Sequence, residues 1–446
     1  MNSGIAPVFS SFIKMFFPVS AGASRTPPRC FHSDQLQRNF PRGKCMLVVV
    51  CAITFLYCGM ALASENQLSA RKDKIVLGMS TALSGPAAIL GINMRAGVFT
   101  AISEVNRSGG MHGRSVNLIS LDDGYEPSRT APNMRKLIDG EQVLAVIGNV
   151  GTPTAVAAIP IANASRTPFF GAFTGAGVLR KTPPDRFVIN YRASYAEETA
   201  AMVDGLVKFG GLKPREIAFF TQRDAYGDAG YTGGIAALKR HGLRDEHIII
   251  HSRYERNTLA VENALADMIM ANTQPRAVIM VGAYAPCAVF ITLAKKSGLD
   301  ALFLNVSFVG AEPLADKLGE HGNGVIVTQV VPHIEADLPI VNRFRKAIHL
   351  WDPSATPTFG SLEGYIAARI FFQASENIDG PITREAVITA LERLGDFDIG
   401  LGQSLHLALD DHQACHSVWP IIIRDGKAVP YKWEELQSEF ARRRHE

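Results

Sequence analysis

Short apolar runs and helix-like repeats alternate along the chain from about residue 74 onward. The run Lys74–Gly78 is the length of a buried strand, and Val98, Ala101 and Val105 then recur on one face of a predicted helix. The same alternation continues with strands over 116–121, 143–148 and 167–170 and helices over 128–139 and 152–164. Pro132 predicts a late start or a kink in the helix over 128–139.

The alternation resumes after residue 190. We predict strands over 217–221, 247–251, 277–281, 303–309 and 324–330, and helices over 197–209, 229–241, 259–271 and 286–296. Three more helices, over 338–350, 362–377 and 383–394, precede a strand-like tail. Strands that alternate with helices of this length indicate βαβ units and parallel sheets, so two such runs predict two α/β lobes.

A basic segment followed by an apolar run precedes these lobes. Arg42 and Lys44 stand before the apolar run Cys45–Leu62, and the run closes with the A-x-A sequence Ala61-Leu62-Ala63. This order is typical of a secretory signal peptide and predicts cleavage after Ala63, with export to the periplasm. The run is also long enough for an uncleaved membrane anchor, and a true start codon downstream of Met1 stays open.

Composition and charge narrow the class of protein. With 47% hydrophobic and 20% charged residues, the chain is not globally disordered. The net charge of +3 arises in the leader, and the rest of the chain has 39 basic and 41 acidic groups. No basic run interleaves with aromatic residues, so we expect no nucleic-acid partner. Outside the leader only Cys287 and Cys415 remain, which predicts two buried thiols, with one disulfide as the alternative.

Small, hydroxyl and aromatic side chains follow the predicted strands, where parallel sheets bind ligands. The sharpest local pattern is Thr152-Pro153, because threonine is a good N-cap and proline is favoured at the first helical position. Free backbone N–H groups there, with the Thr152 and Thr154 hydroxyls beside them, would suit a carboxylate. A plain capped helix is the alternative.

Catalytic and metal-binding patterns are weak in this sequence. The cluster His406, Asp410, Asp411, His412, Cys415 and His416 contains an H-x3-H step, and His247 and His251 bracket a predicted strand. Histidines four apart share a face only on a helix, so we expect no metal site at either place. The first cluster would form a solvated polar turn, and His247 and His251 would be the two ends of the strand. Phosphate-binding and nucleophile motifs are absent, and we expect no cofactor, no metal and no enzymatic activity.

Several motifs in order carry a family resemblance. They are Leu83-Ser84-Gly85-Pro86, the segments 106–113 and 122–127, Gly148–Thr154, Asp224-Ala225-Tyr226-Gly227 and Leu362-Glu363-Gly364-Tyr365. Over about residues 72–435 the chain resembles the type I periplasmic solute-binding proteins of ABC transporters, in the leucine/isoleucine/valine-binding group. The resemblance implies two doubly wound parallel-sheet lobes joined by three crossing hinge strands, near 190–193, 327–331 and 405–420. The N-terminal lobe would comprise 72–192 and 330–408, and the C-terminal lobe 193–329 and 409–440.

The resemblance also implies ligand-binding positions. The hydroxyl that holds the ligand carboxylate falls on Thr152, and the segment after the fourth strand falls on Phe173-Thr174-Gly175. The tyrosines of the second lobe fall on Tyr226 and Tyr284. Two positions depart from the family. Leu90 replaces an aromatic residue, and Ser307 stands where the family has the acid for the ligand's ammonium, although Glu312 lies close enough in sequence to replace it.

Together these features predict an exported, monomeric receptor that captures a small carboxylate ligand by hinge closure and delivers it to an ABC permease. The ligand class is an amino acid or an aromatic or other organic acid. Phe173 and the missing acid at Ser307 favour an aromatic or non-standard carboxylate over leucine. The alternative is a periplasmic sensor that docks on a membrane signalling protein.

Overall fold

Residues 74–443 are described in the computed structural model of the protein. The predicted leader over residues 1–63, with its cleavage site after Ala63, lies outside these residues. The first sheet has five parallel strands in the order β2-β1-β3-β4-β5. They are β1 Lys74–Thr81, β2 Ser115–Asp122, β3 Ala145–Ile147, β4 Phe169–Phe170 and β5 Val188–Ile189. The connecting helices are α1 Ala88–Arg107, α2 Pro127–Arg135 and α3 Thr152–Ala164.

The second sheet has seven strands in the order β14-β13-β10-β9-β8-β6-β7. Its parallel part is β6 Ile217–Gln222, β7 His251–Tyr254, β8 Ala277–Val281, β9 Leu302–Asn305 and β10 Ile326–Gln329. An antiparallel edge adds β13 Trp419–Arg424 and β14 Lys427–Pro430. Its helices are α4 Tyr195–Asp204, α5 Ala225–Arg240, α6 Glu262–Ile269, α7 Tyr284–Lys296 and α8 Ala311–Leu318.

Three helices then return the chain to the first sheet. They are α9 Pro339–Trp351, α10 Phe359–Glu376 and α11 Arg384–Glu392, followed by the hairpin of β11 Gly395–Phe397 and β12 Leu405–Leu407. The last helix is α12 Leu436–Arg443. The protein therefore has an α/β fold with two parallel-sheet lobes, the first built on the five-stranded sheet and the second on the seven-stranded sheet.

The three segments that pass between the lobes lie side by side. Asn190 N–H donates to the His412 carbonyl at 2.8 Å, and Cys415 N–H donates to the Tyr191 carbonyl at 2.8 Å. The Tyr191 hydroxyl donates to the Val330 carbonyl at 3.0 Å. The first crossing is thus bonded to both of the others, which makes a narrow hinge of extended chain.

Helix α1 packs closely on the returning helix α10. A Cβ atom on Gly97 would lie 1.9 Å from the Ser361 carbonyl oxygen, and one on Gly364 would lie 2.3 Å from the Met94 carbonyl oxygen. Both glycines are therefore required by the close approach of the two backbones. By length and composition α1 could also cross a membrane, but half of its most apolar window is buried inside the protein, as in a core helix.

Some predicted elements differ from the structure. The segment predicted as a strand over 247–251 begins as a 3-10 turn, Glu246–Ile248, because the Asp245 carboxylate accepts from His247 N–H at 3.0 Å. The strand predicted over 303–309 ends at Asn305, and Ser307–Val309 form a 3-10 turn that leads to Gly310 at a φ of 77°. Pro132 causes no late start, since α2 begins at Pro127 and runs past it to a π-helical turn.

Candidate ligand-binding site

A narrow cavity lies between the two lobes. The first lobe contributes Leu90, Asn93, Phe173, Phe359, Gly360 and Glu363, and the second lobe contributes Ser307, Gly310, Glu312 and Gln329. The volume is about 10 Å³, close to what one water molecule requires. The lobes are therefore nearly in contact here, and a molecule the size of an amino acid can enter only if they separate.

Two threonine hydroxyls meet at the start of α3. Gly151, at a φ of 103°, is the N-cap residue, and Thr152 is the first helical residue rather than the cap that its sequence predicts. The Thr152 hydroxyl is therefore not used for capping. It lies 2.6 Å from the Thr174 hydroxyl, and both residues are buried. The Thr154 hydroxyl instead faces the carbonyls of Val150 and Gly151, within its own turn.

An aromatic cluster fills the space beside these hydroxyls. The Phe308 ring, on the 3-10 turn after β9, lies 4.7 Å from the ring centroid of Tyr226, 5.5 Å from that of Phe173 and 5.8 Å from that of Tyr125. Tyr125 and Phe173 come from the first lobe, so Phe308 and Tyr226 of the second lobe join an aromatic core that spans both lobes. The Tyr226 hydroxyl donates to the Gly282 carbonyl at 3.2 Å.

A buried cluster of charges lies behind Phe173. The Arg192 guanidinium, on the first crossing, is 5.0 Å from the Phe173 ring centroid. Its Nη2 donates to Glu198 at 3.2 Å and to the Ser307 hydroxyl. Glu198 also accepts from the Ser307 N–H at 2.7 Å and from the Thr328 hydroxyl at 2.6 Å. A carboxylate therefore does lie beside Ser307, but its charge is matched by Arg192.

Two further carboxyl groups line the cavity itself. Glu363 of α10 lies 3.4 Å from Arg192 Nη1, and Glu312 of α8 accepts from the Phe359 N–H at 2.7 Å. Burial raises the pKa of Glu363 to about 7 even though Arg192 opposes the shift. Burial also raises the pKa of Glu312 to about 7, against the hydrogen bond from Phe359. Both groups are acids whose charge is poorly compensated inside the protein.

Polar contacts also bridge the lobes near the cleft. Arg256 of the second lobe lies 2.9 Å from Glu126 of the first, and Asn257 donates to the same carboxylate at 2.6 Å. The Gln222 amide donates to the Tyr125 hydroxyl at 3.1 Å. These contacts, like Glu312 with Phe359, form only when the lobes are close.

The structure places the predicted ligand positions in different surroundings. Phe173 and Ser307 line the cavity, while Thr152 and Thr174 form the hydroxyl pair. Tyr226 lies in the aromatic core, and the Gly175 carbonyl accepts from the Tyr195 N–H at the start of α4. Tyr284 is buried against the backbone of Ile89, and Thr154 faces its own helix turn, so neither lines the cavity.

Sequence reasoning missed Arg192, Glu198 and Glu363 as members of the site. Each stands in a region that already had a structural assignment: a crossing segment, a helix and the motif Leu362–Tyr365. A usable signal was present, because Glu363 is the one charged residue between Asp352 and Arg369. A charged residue in such a stretch is buried, and buried charges are seldom without a partner or a function.

The remaining polar clusters have ordinary partners. His406 pairs with Asp396 and His416 with Glu197, each at short range. Within residues 74–443 no group of three or more metal-ligating side chains converges. Cys287 and Cys415 are both buried and free, so the alternative of a disulfide is wrong.

Comparisons with known proteins agree on one family. A family model described as periplasmic binding protein matches residues 74–427. A crystal structure from Rhodopirellula baltica, described as a possible leucine/isoleucine/valine-binding protein, is 54% identical, with a TM-score of 0.80, over 82% of this chain and 98% of that one.

More distant relatives extend the comparison. Leu/Ile/Val-binding protein homolog 7 of Brucella abortus is 24% identical over 411 residues, which cover 86% of this chain and 95% of the relative. A branched-chain amino-acid ABC transporter protein of Thermus thermophilus, solved with bound valine, shares the fold at 20% identity. Its TM-score is 0.69, over 80% of this chain and 95% of that one.

Proposed function

The chain belongs to the periplasmic binding protein family, and from this premise we propose that it is the solute receptor of an ABC importer for amino acids. Members of this family bind their solute without transforming it, so the protein is not an enzyme. We place the mature protein in the periplasm, after cleavage of the leader following Ala63. It would act as a monomer that delivers its ligand to a permease in the inner membrane.

The observation that carries the proposal is the position of the hydroxyl pair. Thr152 and Thr174 lie at the start of a thirteen-residue helix, where backbone N–H groups have no partner within the helix. A carboxylate bound there would accept from the hydroxyls and from the N–H groups, with the helix dipole favouring its negative charge. The carboxylate of an amino acid is a ligand group that fits this site.

The lobes would close on the ligand as a hinged trap. We assign residues 72–192 and 330–408 to the N-terminal lobe and 193–329 and 409–440 to the C-terminal lobe. Opening would move Phe308 and Tyr226 away from Phe173, which frees a space with aromatic walls beside Thr152. Phe173, Thr174, Gly175, Tyr226, Tyr284 and Ser307 would then surround the ligand, with Thr154 supporting the helix start. The valine-bound and leucine/isoleucine/valine-binding relatives support an aliphatic amino acid as the guest.

A thermal-shift screen tests the proposal. The purified protein is heated with each of the twenty L-amino acids and with simple aromatic and aliphatic acids. A ligand that binds only the folded state stabilises it by about 2.7 kcal/mol at 100 times its Kd, which gives a clear rise in Tm. We expect a rise with one or more amino acids. No rise with any compound in the panel would contradict the proposed function.

A further inference from the structure

The cavity between the lobes has two acidic walls that differ in how they are bonded. On the second lobe, one Glu312 oxygen accepts from the Phe359 N–H at 2.7 Å, so this carboxyl holds the lobes together. On the first lobe, the Glu363 side chain accepts no hydrogen bond from any residue of the described chain, 74–443, and its one ion-pair contact there is Arg192 Nη1, at 3.4 Å. Both oxygens of this cavity-lining carboxyl are therefore without a hydrogen-bond donor within that range.

Arg192 does not balance the charge of Glu363. Its guanidinium is bound to Glu198 and Ser307, and Glu198 is in turn held by Ser307 and Thr328. Arg192 Nη2 donates to Glu198 at 3.2 Å, whereas Arg192 Nη1 lies 3.4 Å from Glu363 and has no hydrogen-bond partner. Arg180, the next cation, directs its N–H groups at Gln413 and at backbone carbonyls. Glu363 is thus a buried carboxyl with no hydrogen-bonded cation, although the charges of Arg192 and Arg180 both act on it.

A buried carboxylate without a matched cation is costly, and its side chain here is only 4% exposed. The other polar groups at the cavity wall are neutral: Asn93, Ser307 and Gln329. Gln329, on the opposite wall, is buried, and its Nε2 has no acceptor, so it could donate to an oxygen of the ligand. A small ligand group that brings a positive charge and several N–H donors would satisfy the Glu363 carboxylate.

We propose that Glu363 binds the α-ammonium of the ligand. It would take the role of the acid that the family has in the second lobe, at the position where this chain has Ser307. The inference rests on the proposed function and adds to it the residue that binds the amino group of the ligand. Specificity for amino acids would then come from the first lobe, which holds both the Thr152–Thr174 hydroxyl pair and Glu363. Closure of the second lobe completes the site with Ser307, Glu312 and Gln329.

The test compares Glu363→Gln with Glu312→Gln, two neutral variants on opposite walls of one cavity. Each protein is titrated by calorimetry with the twenty L-amino acids and with the matching acids that lack the α-amino group, such as 4-methylpentanoate for leucine. Unfolding transitions show that each variant is folded. We expect Glu363→Gln to bind the amino acid about 10- to 100-fold more weakly, and Glu312→Gln to bind it with a much smaller loss.

The other outcomes separate the inference from the function on which it rests. Equal affinity of the wild type for an amino acid and its des-amino analogue would overturn the role of an ammonium, and the receptor function would stand. Unchanged amino-acid affinity in Glu363→Gln would also overturn it. If Glu363→Gln does not fold, the Glu363→Asp variant is titrated instead. If Glu363→Asp binds the amino acid as tightly as the wild type does, the proposal is overturned. If the wild type binds nothing in the panel, both the function and the inference fail.

Discussion

The Arg256 guanidinium of the second lobe lies 2.9 Å from the Glu126 carboxylate of the first lobe. Both groups are partly buried, and the Arg256 side chain is 24% exposed. Because this pair forms only when the lobes are close, it stabilises the closed arrangement relative to an open one. It should therefore contribute to ligand affinity without touching the ligand.

We expect Glu126→Gln to weaken ligand binding by roughly 2- to 5-fold, the value of a partly exposed ion pair. Calorimetric titration measures the change. The control is Asp228→Asn, which removes a similar pair with Arg253 at 2.6 Å, but inside the second lobe. A loss of affinity as large in the control as in Glu126→Gln would show that the pair has no role in closure.

Thr152 and Thr154 should respond differently to the same change. Thr152→Val removes a hydroxyl that we place on the ligand carboxylate, and it should lower affinity by about 10- to 100-fold. Thr154→Val removes a hydroxyl bound to the carbonyls of its own turn, and it should lower Tm with little effect on affinity. Calorimetry and thermal unfolding of both variants decide this. Equal Kd values for wild type and Thr152→Val would show that the ligand carboxylate does not bind at Thr152.

The pH dependence of stability should reveal the buried acids. Burial raises the pKa of both Glu363 and Glu312 to about 7 from 4.5. Between these values the folded protein holds protons that the unfolded chain has released, so the free energy of unfolding falls as the pH rises from about 4.5 to about 7. Arg192 opposes this shift at Glu363, and Glu198 adds to it.

Urea unfolding at pH 5 and at pH 8 measures this difference. Replacing both Glu363 and Glu312 with glutamine should leave a smaller loss of stability between the two pH values than in the wild type. If the double variant loses as much stability as the wild type, the two carboxyl groups are ionised normally in the folded protein.

The two cysteines should be inert while the protein is folded. Burial raises the pKa of the Cys287 and Cys415 thiols above the usual value, so neither forms the reactive thiolate at neutral pH. Labelling with an alkylating reagent, read at each cysteine by peptide mass spectrometry, should be slow in buffer and fast in denaturant. Fast labelling of Cys287 in buffer would mean that the second lobe opens locally around α7.

The sequence predicts those elements whose residues act locally. β1 begins at Lys74, as the apolar run indicates, and α3 begins at Thr152, one residue before the start that the Thr-Pro pair indicates. The apolar character of the segment around Phe308 predicts a strand. In the structure, however, the Phe308 ring packs against aromatic rings of both lobes and does not belong to a sheet. Its turn conformation depends on tertiary contacts that periodicity does not record.

The charged residues of the site could not be predicted from the local sequence pattern for the same reason. Arg192, Glu198 and Glu363 belong to a crossing segment, to α4 and to α10, and only the folded chain brings them together. The sequence shows that Ser307 lacks the acid expected there. It does not show that Glu198 lies beside Ser307 or that Glu363 faces the same cavity, because those neighbours are set by how the lobes pack.

Hinge closure on an amino acid is the central claim, and small-angle X-ray scattering with and without that amino acid tests it most directly. The amino acid with the largest rise in Tm is added at 100 times its Kd. The account predicts that the radius of gyration falls on binding, because the two lobes close around the ligand. A radius of gyration that stays the same at saturation would contradict it.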